Sequence, residues 1–574
     1  MTPATSPTTF WLLTPEIILV IAALAVFLGG AFAGLRAGWL VALGGIVAAL
    51  FVATVAAPAD GVSGPLTIDG FSGFVRSLVL LLGTLVALVQ AGDGFRRAVL
   101  REAQPYQSTA EEAGVFLLLV TGLSLAAVAN DLVLLFTGLE LVSIPTAILL
   151  GLKRTDAAGQ EAGLKYFFLS LVASSLFLYG VVCLYGIGGS TEMATIGARL
   201  RSAEPGTVVI GAALVPLAAG LILAGAAFRL AAFPLHFYAP DVYQGTSPGN
   251  AALLSTLPKV AGVIVLLRLA GLAIGPVDGA PVGYAATATL DLLWPAAAAL
   301  AAVSMTIGNV MALGQTNLRR LLACSSIAHA GYLLVGIAAT AALGSSAATG
   351  GAAPGGAISG GGATLFYLAT YAVATIGVFA ALTYLGHRWP VWSAAVPRPP
   401  REEVSTIADL DGLSATNPIV AFAIAVCLLS LAGIPPLPGF WGKLSLVTSA
   451  LEVDAGGWSP RRLAFVALAV TLVVNAAIAA AYYLRIIAAI YFRSTDRGVQ
   501  SDGGVGAGVG MIACLVLVGL FTIHPQGLFR AARRAGGAVL GAQATAAAAT
   551  LSSPFSAVAT VAVDAAAAPE PRLP

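Results

Sequence analysis

The chain has 574 residues, 58% of them hydrophobic and 9% charged, with a formal net charge of +2 and a mean hydropathy of +0.93. A soluble domain carries about 25% charged residues, so this composition excludes a soluble nucleotide-binding enzyme. It holds no basic tract of the kind a nucleic-acid partner needs.

A membrane-crossing helix needs roughly 20 apolar residues, because lipid offers no partner for backbone N–H and C=O groups. About fourteen segments meet that need by the same criterion. They lie near 10–34, 39–57, 71–91, 113–129, 131–151, 163–188, 207–233, 250–273, 287–313, 321–343, 363–386, 416–448, 463–492 and 508–529. The short alternating segments of a β-barrel are missing. The first apolar segment follows a polar, uncharged start and exceeds a signal-peptide core, so it reads as a retained helix. The Gly/Ser/Ala-rich stretch 344–362 reads as a flexible loop, and 388–411 as the longest charged connection. The glycines of 504–510 (GVGAGVG) follow no strand and make no phosphate cradle. From 530 to 574 the chain is Ala/Pro-rich and is expected to be disordered.

Loop charge sets orientation. Odd-numbered connections hold most of the loop Arg and Lys, including Arg96, Arg97, Lys153, Arg154, Arg319 and Arg320. They are expected on the cytoplasmic side, and an even helix count then puts both termini outside. Arg530, Arg533 and Arg534 after the last segment run mildly against this.

The four cysteines are isolated in apolar runs, with none of the clustering a zinc or iron–sulfur site requires. No metal or cofactor is therefore expected on this chain. The lysines are more informative. Of 28 basic residues four are Lys, and Lys165, Lys259 and Lys443 sit inside apolar runs. A charge in hydrocarbon costs roughly 3 kcal/mol or more and marks a functional path. Arg stays protonated under all biological conditions, whereas a Lys withdrawn from water can give up its proton. Keeping Lys in the membrane and Arg in the loops points to proton movement.

Two apolar segments are interrupted by helix breakers: FRLAAFPLHFYAP over Phe228–Pro240 and GIPPLPGFWGK over Gly433–Lys443. Broken backbone at membrane depth is tolerated inside protein or beside a water-filled cavity. The breaks fall in segments seven and twelve. If segments four to eight and nine to thirteen are two five-helix units, each break occupies the fourth helix of its unit, and an odd helix number inverts the second copy. The expected fold is an all-α polytopic membrane protein of about 14 transmembrane helices, with two inverted five-helix repeats and broken helices 7 and 12. The divisions are 1–112, 113–273 (first repeat), 287–492 (second repeat), 493–529 (helix 14) and the tail 530–574.

The candidate site is a set of charges in these segments. Glu140 lies mid-helix, and Arg229, just before the first break, is its natural partner, since a buried acid and base are stable mainly together. Lys259 follows Pro258, and Lys443 follows the triple-proline break. Lys165 is nearer an interface, where snorkelling is an equal alternative. His236 and His329 suit a proton relay, although a lone His more often bonds a neighbouring helix backbone. Arg485 reads as structural, and Glu16 and Asp131 as hydrated helix-end charges. Ser143, Ser170, Ser255, Thr256, Ser325 and Ser326 could hold water between the charges.

The segments NDLVLLFTGLELVSIP, LKYFFLSLVASSLFLYG, FRLAAFPLHFYAPDVYQGTSPGNAALLSTLPKVAG, GNVMALGQTNLRRLLACSSIAHAGYLLVG, LLSLAGIPPLPGFWGK and YYLR together resemble the antiporter-like subunit N of respiratory complex I, the proton-pumping NADH–quinone oxidoreductase. PDVYQG and YYLR look like subunit N rather than its sister subunits. The resemblance implies a proton-translocating subunit of a translocase, in a bacterial plasma membrane beside other membrane subunits and sister antiporter-like subunits. NADH, FMN, iron–sulfur clusters and quinone would be bound in partner subunits. It places the proton path at Glu140, Arg229, Lys259 and Lys443, with Lys165 on helix six. Arg229 departs from the family, which usually has Lys there. A subunit of a multisubunit cation/proton antiporter, or a structural complex I subunit that no longer pumps, are the alternatives.

Overall fold

The structure, a computed structural model, describes residues 7–35, 37–55, 61–63, 65–99, 107–153, 156–202, 209–274, 284–348, 360–388, 402–494, 501 and 503–539. The described residues are helical almost throughout. It opens with α1 (Pro7–Leu12), α2 (Thr14–Ala33) and α3 (Gly38–Val55). A hairpin of β1 (Gly61–Ser63) and β2 (Leu66–Ile68) leads into α4 (Gly70–Val99). Next come α5 (Gln107–Val128), α6 (Leu132–Lys153), α7 (Ala157–Gly188) and the short α8 (Met193–Ser202). The first broken segment is α9 (Val209–Leu230) and α10 (Ala239–Gly245), followed by α11 (Pro248–Ala273). Then α12 (Tyr284–Leu313), α13 (Leu318–Ala348) and α14 (Gly360–Leu385) precede a second hairpin of β3 (His387–Arg388) and β4 (Glu402–Glu403). After α15 (Leu413–Thr416), the second broken segment is α16 (Pro418–Ala432) and α17 (Pro438–Leu451). The chain continues through α18 (Pro460–Phe492), α19 (Val505–Ile523) and α20 (Pro525–Val539).

Among the described residues, twelve helices are long and apolar enough to cross a membrane. Two shorter apolar helices, Leu214–Leu230 and Pro418–Ala432, belong to the broken segments, which the expected number of about 14 counted as spans. Burial shows which helices are central. The apolar windows of α13 and α14 are 100% buried and that of α11 94%, against 28% for α3 and α19. A helix apolar on every side is read as buried or lipid-facing, and this chain uses both kinds. The charged candidates therefore sit around three enclosed helices.

Polar caps start the helices where the chain re-enters the bundle. Asp156, Ser247 and Ser459 accept from the backbone N–H groups of Gly159, Asn250 and Arg462. Arg485 donates to the Leu313 and Gln315 carbonyls at 2.9 and 2.6 Å and so closes the end of α12, a structural charge as expected.

Two expectations are revised, and the glycines of 504–510 gain a role. The stretch 344–362 is not all loop: α13 runs to Ala348 and α14 begins at Gly360, while 349–359 lie outside the described residues. Gly336, Gly360 and Thr340 let α13 and α14 approach backbone to backbone, and that contact keeps the Gly-rich ends helical. The glycines of 504–510 are likewise a packing surface, since a Cβ on Gly506 would stand 2.6 Å from the Gly92 backbone nitrogen. Finally, the tail is helical to Val539; 540–574 lie outside the described residues. Ala532, Ala535, Gly536 and Val539, spaced i, i+3, i+4, i+7, are buried against α4 and α14, with Arg530, Arg533 and Arg534 exposed. Phe529 stacks on Phe366 at 3.9 Å.

Candidate proton path: a buried line of charge and hydroxyls

The first break begins where α9 stops at Leu230. Ala231 takes a positive φ of 56°, and Pro234 follows a cis bond. The freed backbone is satisfied by side chains. Phe233 N–H donates to Ser304 Oγ at 2.9 Å, and Tyr238 Oη donates to the Phe228 carbonyl at 3.1 Å. The second break follows Gly433, whose φ is +87°.

Glu140 and Arg229 meet. Arg229, 3% exposed, places Nη2 3.5 Å from Glu140 Oε1. Ser174 lies between them: its Oγ donates to Glu140 Oε1 at 2.5 Å and accepts from Arg229 Nη2 at 3.4 Å. Arg229 also donates to the Gly225 carbonyl and lies over the Phe177 ring at 5.6 Å. An arginine here is a fixed charge with a planar fork, held on several sides at once.

Both central lysines seat themselves on broken helix ends. Lys259, 1% exposed, donates through Nζ to the carbonyl of Leu230, the last residue of α9, and to that of Ser326 at 2.8 Å. Lys443, 6% exposed, donates to the Leu431 and Ala432 carbonyls at 2.9 and 2.8 Å, the end of α16. Helix C-termini leave carbonyls unpaired and carry partial negative charge, so each break provides a cation seat. Among the described residues neither lysine has a carboxylate partner.

Between the lysines runs a set of hydroxyls and one imidazole. Ser326 Oγ lies 3.3 Å from Tyr243 Oη and 3.0 Å from Tyr371 Oη, and Tyr371 Oη donates to the Ser255 carbonyl. His329, 1% exposed, has Nδ1 2.6 Å from Tyr367 Oη and Nε2 3.0 Å from Tyr483 Oη. Its ring stacks on Tyr371 at 4.5 Å, and Tyr483 hydrogen-bonds Ser325. Tyr332 lies edge-on to His329 and under Lys443, whose Nζ is 5.0 Å from the ring centroid. Tyr332 Oη accepts from Asn309, which bonds Tyr482 and Asn475.

Two candidates stand apart. Lys165, with its side chain 40% exposed, pairs with Glu161 at 2.6 Å and Asp241 at 3.1 Å at one end of the bundle. His236 is half-buried beside Phe233, and its Nδ1 has no hydrogen-bond partner among the described residues. Of the serines and threonine, Ser325 and Ser326 join the line through their hydroxyls, whereas Ser143, Ser170, Ser255 and Thr256 bond carbonyls of their own helices and Ser255 meets the line only through its backbone carbonyl. Glu16 is not hydrated: it is 3% exposed and paired with Arg76, because α4 and α5 close over it. Asp131 is partly buried and caps α6, accepting from Val133 N–H at 2.8 Å.

Tyr and Asn are possible water-holding types in the sequence, but these tyrosines and Asn309 were not singled out there. Tyr367 and Tyr371 are four apart on one helical face, and Tyr332 is three residues from His329, a spacing that brings side chains together.

Residues 129–459 match the family described as NADH:quinone oxidoreductase/Mrp antiporter, TM. The chain belongs to this family. Subunit N 1 of NADH-quinone oxidoreductase from Sorangium cellulosum is 34% identical over 83% of this chain and 87% of its own length. Subunit N from Jannaschia sp. is 32% identical over 90% of this chain and 95% of its own. Among solved structures, a chain of respiratory complex I from Thermus thermophilus with bound aureothin is 28% identical, with a TM-score of 0.67 over 91% of this chain and 99% of that one. A chain of the Mrp complex from Dietzia sp. shares the fold at 23% identity and a TM-score of 0.67, covering 95% of this chain and 98% of that one. The stretch matching the NADH:quinone oxidoreductase/Mrp antiporter family contains Glu140, Arg229, Lys259, His329 and Lys443, and leaves the Glu16–Arg76 pair outside it.

Proposed function

We propose that this chain is the proton-translocating membrane subunit N of a bacterial NADH–quinone oxidoreductase, and that its protons travel along the line Glu140–Arg229–Lys259–His329–Lys443. The carrying observation is that Lys259 and Lys443, each seated on a broken helix end, are joined by Ser326, His329 and four tyrosines rather than by apolar side chains. NADH oxidation and quinone reduction belong to partner subunits, with their FMN and iron–sulfur clusters. This chain lies in the plasma membrane beside sister antiporter-like subunits.

Each part has a role its chemistry suits. Arg229 does not deprotonate, so it acts as a fixed counter-charge for Glu140 and biases Lys259, which bonds the very next carbonyl in the chain. Lys259 and Lys443 load and release, with His329 and its phenols between them. Moving one charge against ~150 mV costs about 3.5 kcal/mol, which changes in neighbouring charge and hydration must supply. The order of α5, α6, α7, α9/α10 and α11 returns as α12, α13, α14, α16/α17 and α18, and we read these as inverted repeats within 113–273 and 287–492. The odd connections are assigned to the cytoplasm and both termini to the opposite side. His236 is a peripheral group on this reading.

The test is Lys443→Ala in the assembled complex, comparing proton pumping with NADH–quinone turnover in sealed vesicles. Loss of pumping, alone or with turnover, at normal assembly supports the path. Unchanged pumping removes Lys443 as a carrier and favours a structural subunit.

A further inference from the structure

Two buried asparagines lie beside the central line, and the path proposed above does not use them. Asn309 of α12 and Asn475 of α18 are 0% and 3% exposed and sit in apolar stretches of their helices. An amide withdrawn from water is costly unless its polar atoms are bonded. These two bond each other: Asn309 Nδ2 donates to the Asn475 side-chain oxygen and to the Asn475 carbonyl, each at 3.1 Å. Asn475 Nδ2 in turn donates to the Thr306 hydroxyl at 3.3 Å and to the Thr471 carbonyl at 3.0 Å. Apolar side chains would fill the same space without that cost, so the amides call for a reason beyond packing.

Asn309 also reaches the ring beside Lys443. Gly308 and Gly331 let α12 and α13 approach backbone to backbone: a Cβ on Gly308 would stand 2.6 Å from the Ala328 nitrogen, and one on Gly331 2.7 Å from the Met305 nitrogen. Across that contact Asn309 Nδ2 donates to Tyr332 Oη at 3.3 Å, the one hydrogen bond this hydroxyl makes among the described residues. Asn309 Oδ1 accepts from Tyr482 Oη at 3.0 Å, so the amide is engaged at both ends. The Tyr332 ring is set nearly perpendicular to His329 and to Tyr367, with centroids 5.5 and 6.0 Å away, and Lys443 Nζ lies over it at 5.0 Å. An aromatic face attracts a cation and not a neutral amine. Where this ring stands therefore matters to Lys443 chiefly while the lysine carries its proton.

We infer that Asn309, braced by Asn475, is a positioning residue for Lys443: it holds the Tyr332 ring in the place where the loaded lysine rests on it. This rests on the proton-translocating reading above. Asn309 neither takes nor gives a proton; it acts through the Tyr332 hydroxyl, which it grips from the neighbouring helix. When Lys443 gives its proton away, the attraction to the ring lapses, but the ring stays tied to Asn309 and is in place for the next proton. Loading and release then occur against a fixed wall, and small displacements of such a wall are felt in the rate.

The experiment compares Asn309→Leu, Tyr332→Phe and the two combined, in the whole complex in sealed vesicles. Asn309→Leu removes the grip and should lower pumping and coupled turnover by about threefold or more, at unchanged KM for NADH and quinone. Tyr332→Phe keeps the ring and deletes only the oxygen that Asn309 holds, and it should lower pumping to a similar extent. The double variant should pump no worse than either alone, because both changes cut the same bond. Thermal unfolding separates positioning from scaffolding. Asn309→Leu strands the Tyr332 hydroxyl, and adding Tyr332→Phe removes that stranded group, so the double variant should regain part of the lost stability without regaining pumping. Pumping that recovers together with stability makes Asn309 a purely structural residue and overturns the inference. Wild-type pumping in Tyr332→Phe, with Lys443→Ala inactive, also overturns it and leaves the translocating reading standing. Wild-type pumping in Lys443→Ala overturns both. If Asn309→Leu does not assemble, Tyr332→Phe decides.

Discussion

Gly433 makes the room that Lys443 occupies. A Cβ at Gly433 would stand 2.9 Å from Lys443 Cδ and 3.3 Å from its Nζ, and the backbone there has φ +87°. The glycine ends α16, and the lysine of α17 folds back over that end to take its carbonyls. Gly433→Ala is therefore expected to act on Lys443 without changing its chemistry. The left-handed backbone alone costs a non-glycine residue roughly 1–2 kcal/mol, and the lysine must also leave its seat. Pumping should fall by about tenfold or more while the complex assembles, since 1.36 kcal/mol on a barrier is already tenfold. Pumping at the wild-type rate would show that the seat is dispensable.

Arg229 separates the counter-charge role from the carrier role. Its guanidinium is pinned by Glu140, Ser174, the Gly225 carbonyl and the Phe177 ring, so what it supplies is a permanent positive charge in a set place. Arg229→Lys is expected to keep turnover within roughly threefold, because a cation persists, and Arg229→Met to lower it by tenfold or more, because Glu140 loses its partner. Steady-state NADH–quinone turnover and pumping on the same vesicles decide. Equal damage from both substitutions would mean that fork geometry, not charge, is what Glu140 needs.

His329 is placed to pass a proton because each ring nitrogen has its own phenol, Tyr367 on Nδ1 and Tyr483 on Nε2. His329→Phe keeps the ring volume and the stack on Tyr371 but removes the partner of the Tyr367 hydroxyl, at about 1–3 kcal/mol for a buried group left unpaired, while Tyr483 keeps Ser325. Pumping should fall by roughly a hundredfold, the lower range for losing a positioned proton-transfer group. Tyr483→Phe should be milder, because Nδ1 keeps Tyr367. If His329→Phe pumps normally, protons cross between the lysines by another route.

How far the sequence was legible depends on whether a residue's meaning is local. Pro234, Pro435, Pro436 and Pro438 announce their breaks by removing backbone donors, and an acid or lysine in an apolar run announces a cost that must be met. Those signals singled out Glu140, Arg229, Lys259 and Lys443, of which the structure buries Arg229, Lys259 and Lys443 and brings Arg229 to Glu140. What they could not carry is which helices face one another. Lys165 reads as nearer an interface, and its partly exposed side chain agrees, but its pairing with Asp241, 76 residues away, is set by which helices pack together. Glu16, near a helix end, looked hydrated, and three helices bury it. Nothing local singles out Tyr332, Tyr367, Tyr371 and Tyr483 from the other tyrosines, because a tyrosine costs little in a membrane helix until its hydroxyl finds a partner on another helix. The helical tail to Val539 was hidden for a related reason: an Ala/Pro-rich composition suggests disorder, while the i, i+3, i+4, i+7 spacing of Ala532, Ala535, Gly536 and Val539 gives a close-packing seat once α4 and α14 are beside it.

The Glu16–Arg76 pair is expected to hold the N-terminal helices together without serving the proton path. Arg76 Nε donates to Glu16 Oε1 at 2.9 Å, and its Nη2 donates to the Leu12 carbonyl at 2.8 Å. Ser124 of α5 donates to Glu16 Oε1 at 2.5 Å, so one carboxylate ties α2, α4 and α5. Both side chains are almost wholly buried. Removing one partner leaves an uncompensated charge, whereas removing both removes the problem with the interaction. Glu16→Leu should therefore cost about 3–5 kcal/mol of stability, and Glu16→Leu combined with Arg76→Met distinctly less than Glu16→Leu alone. Thermal unfolding of the detergent-purified complex measures the difference, and pumping by whatever assembles should match wild type per complex. A double variant less stable than Glu16→Leu alone, or an assembled variant that turns over without pumping, would place this pair among the working residues.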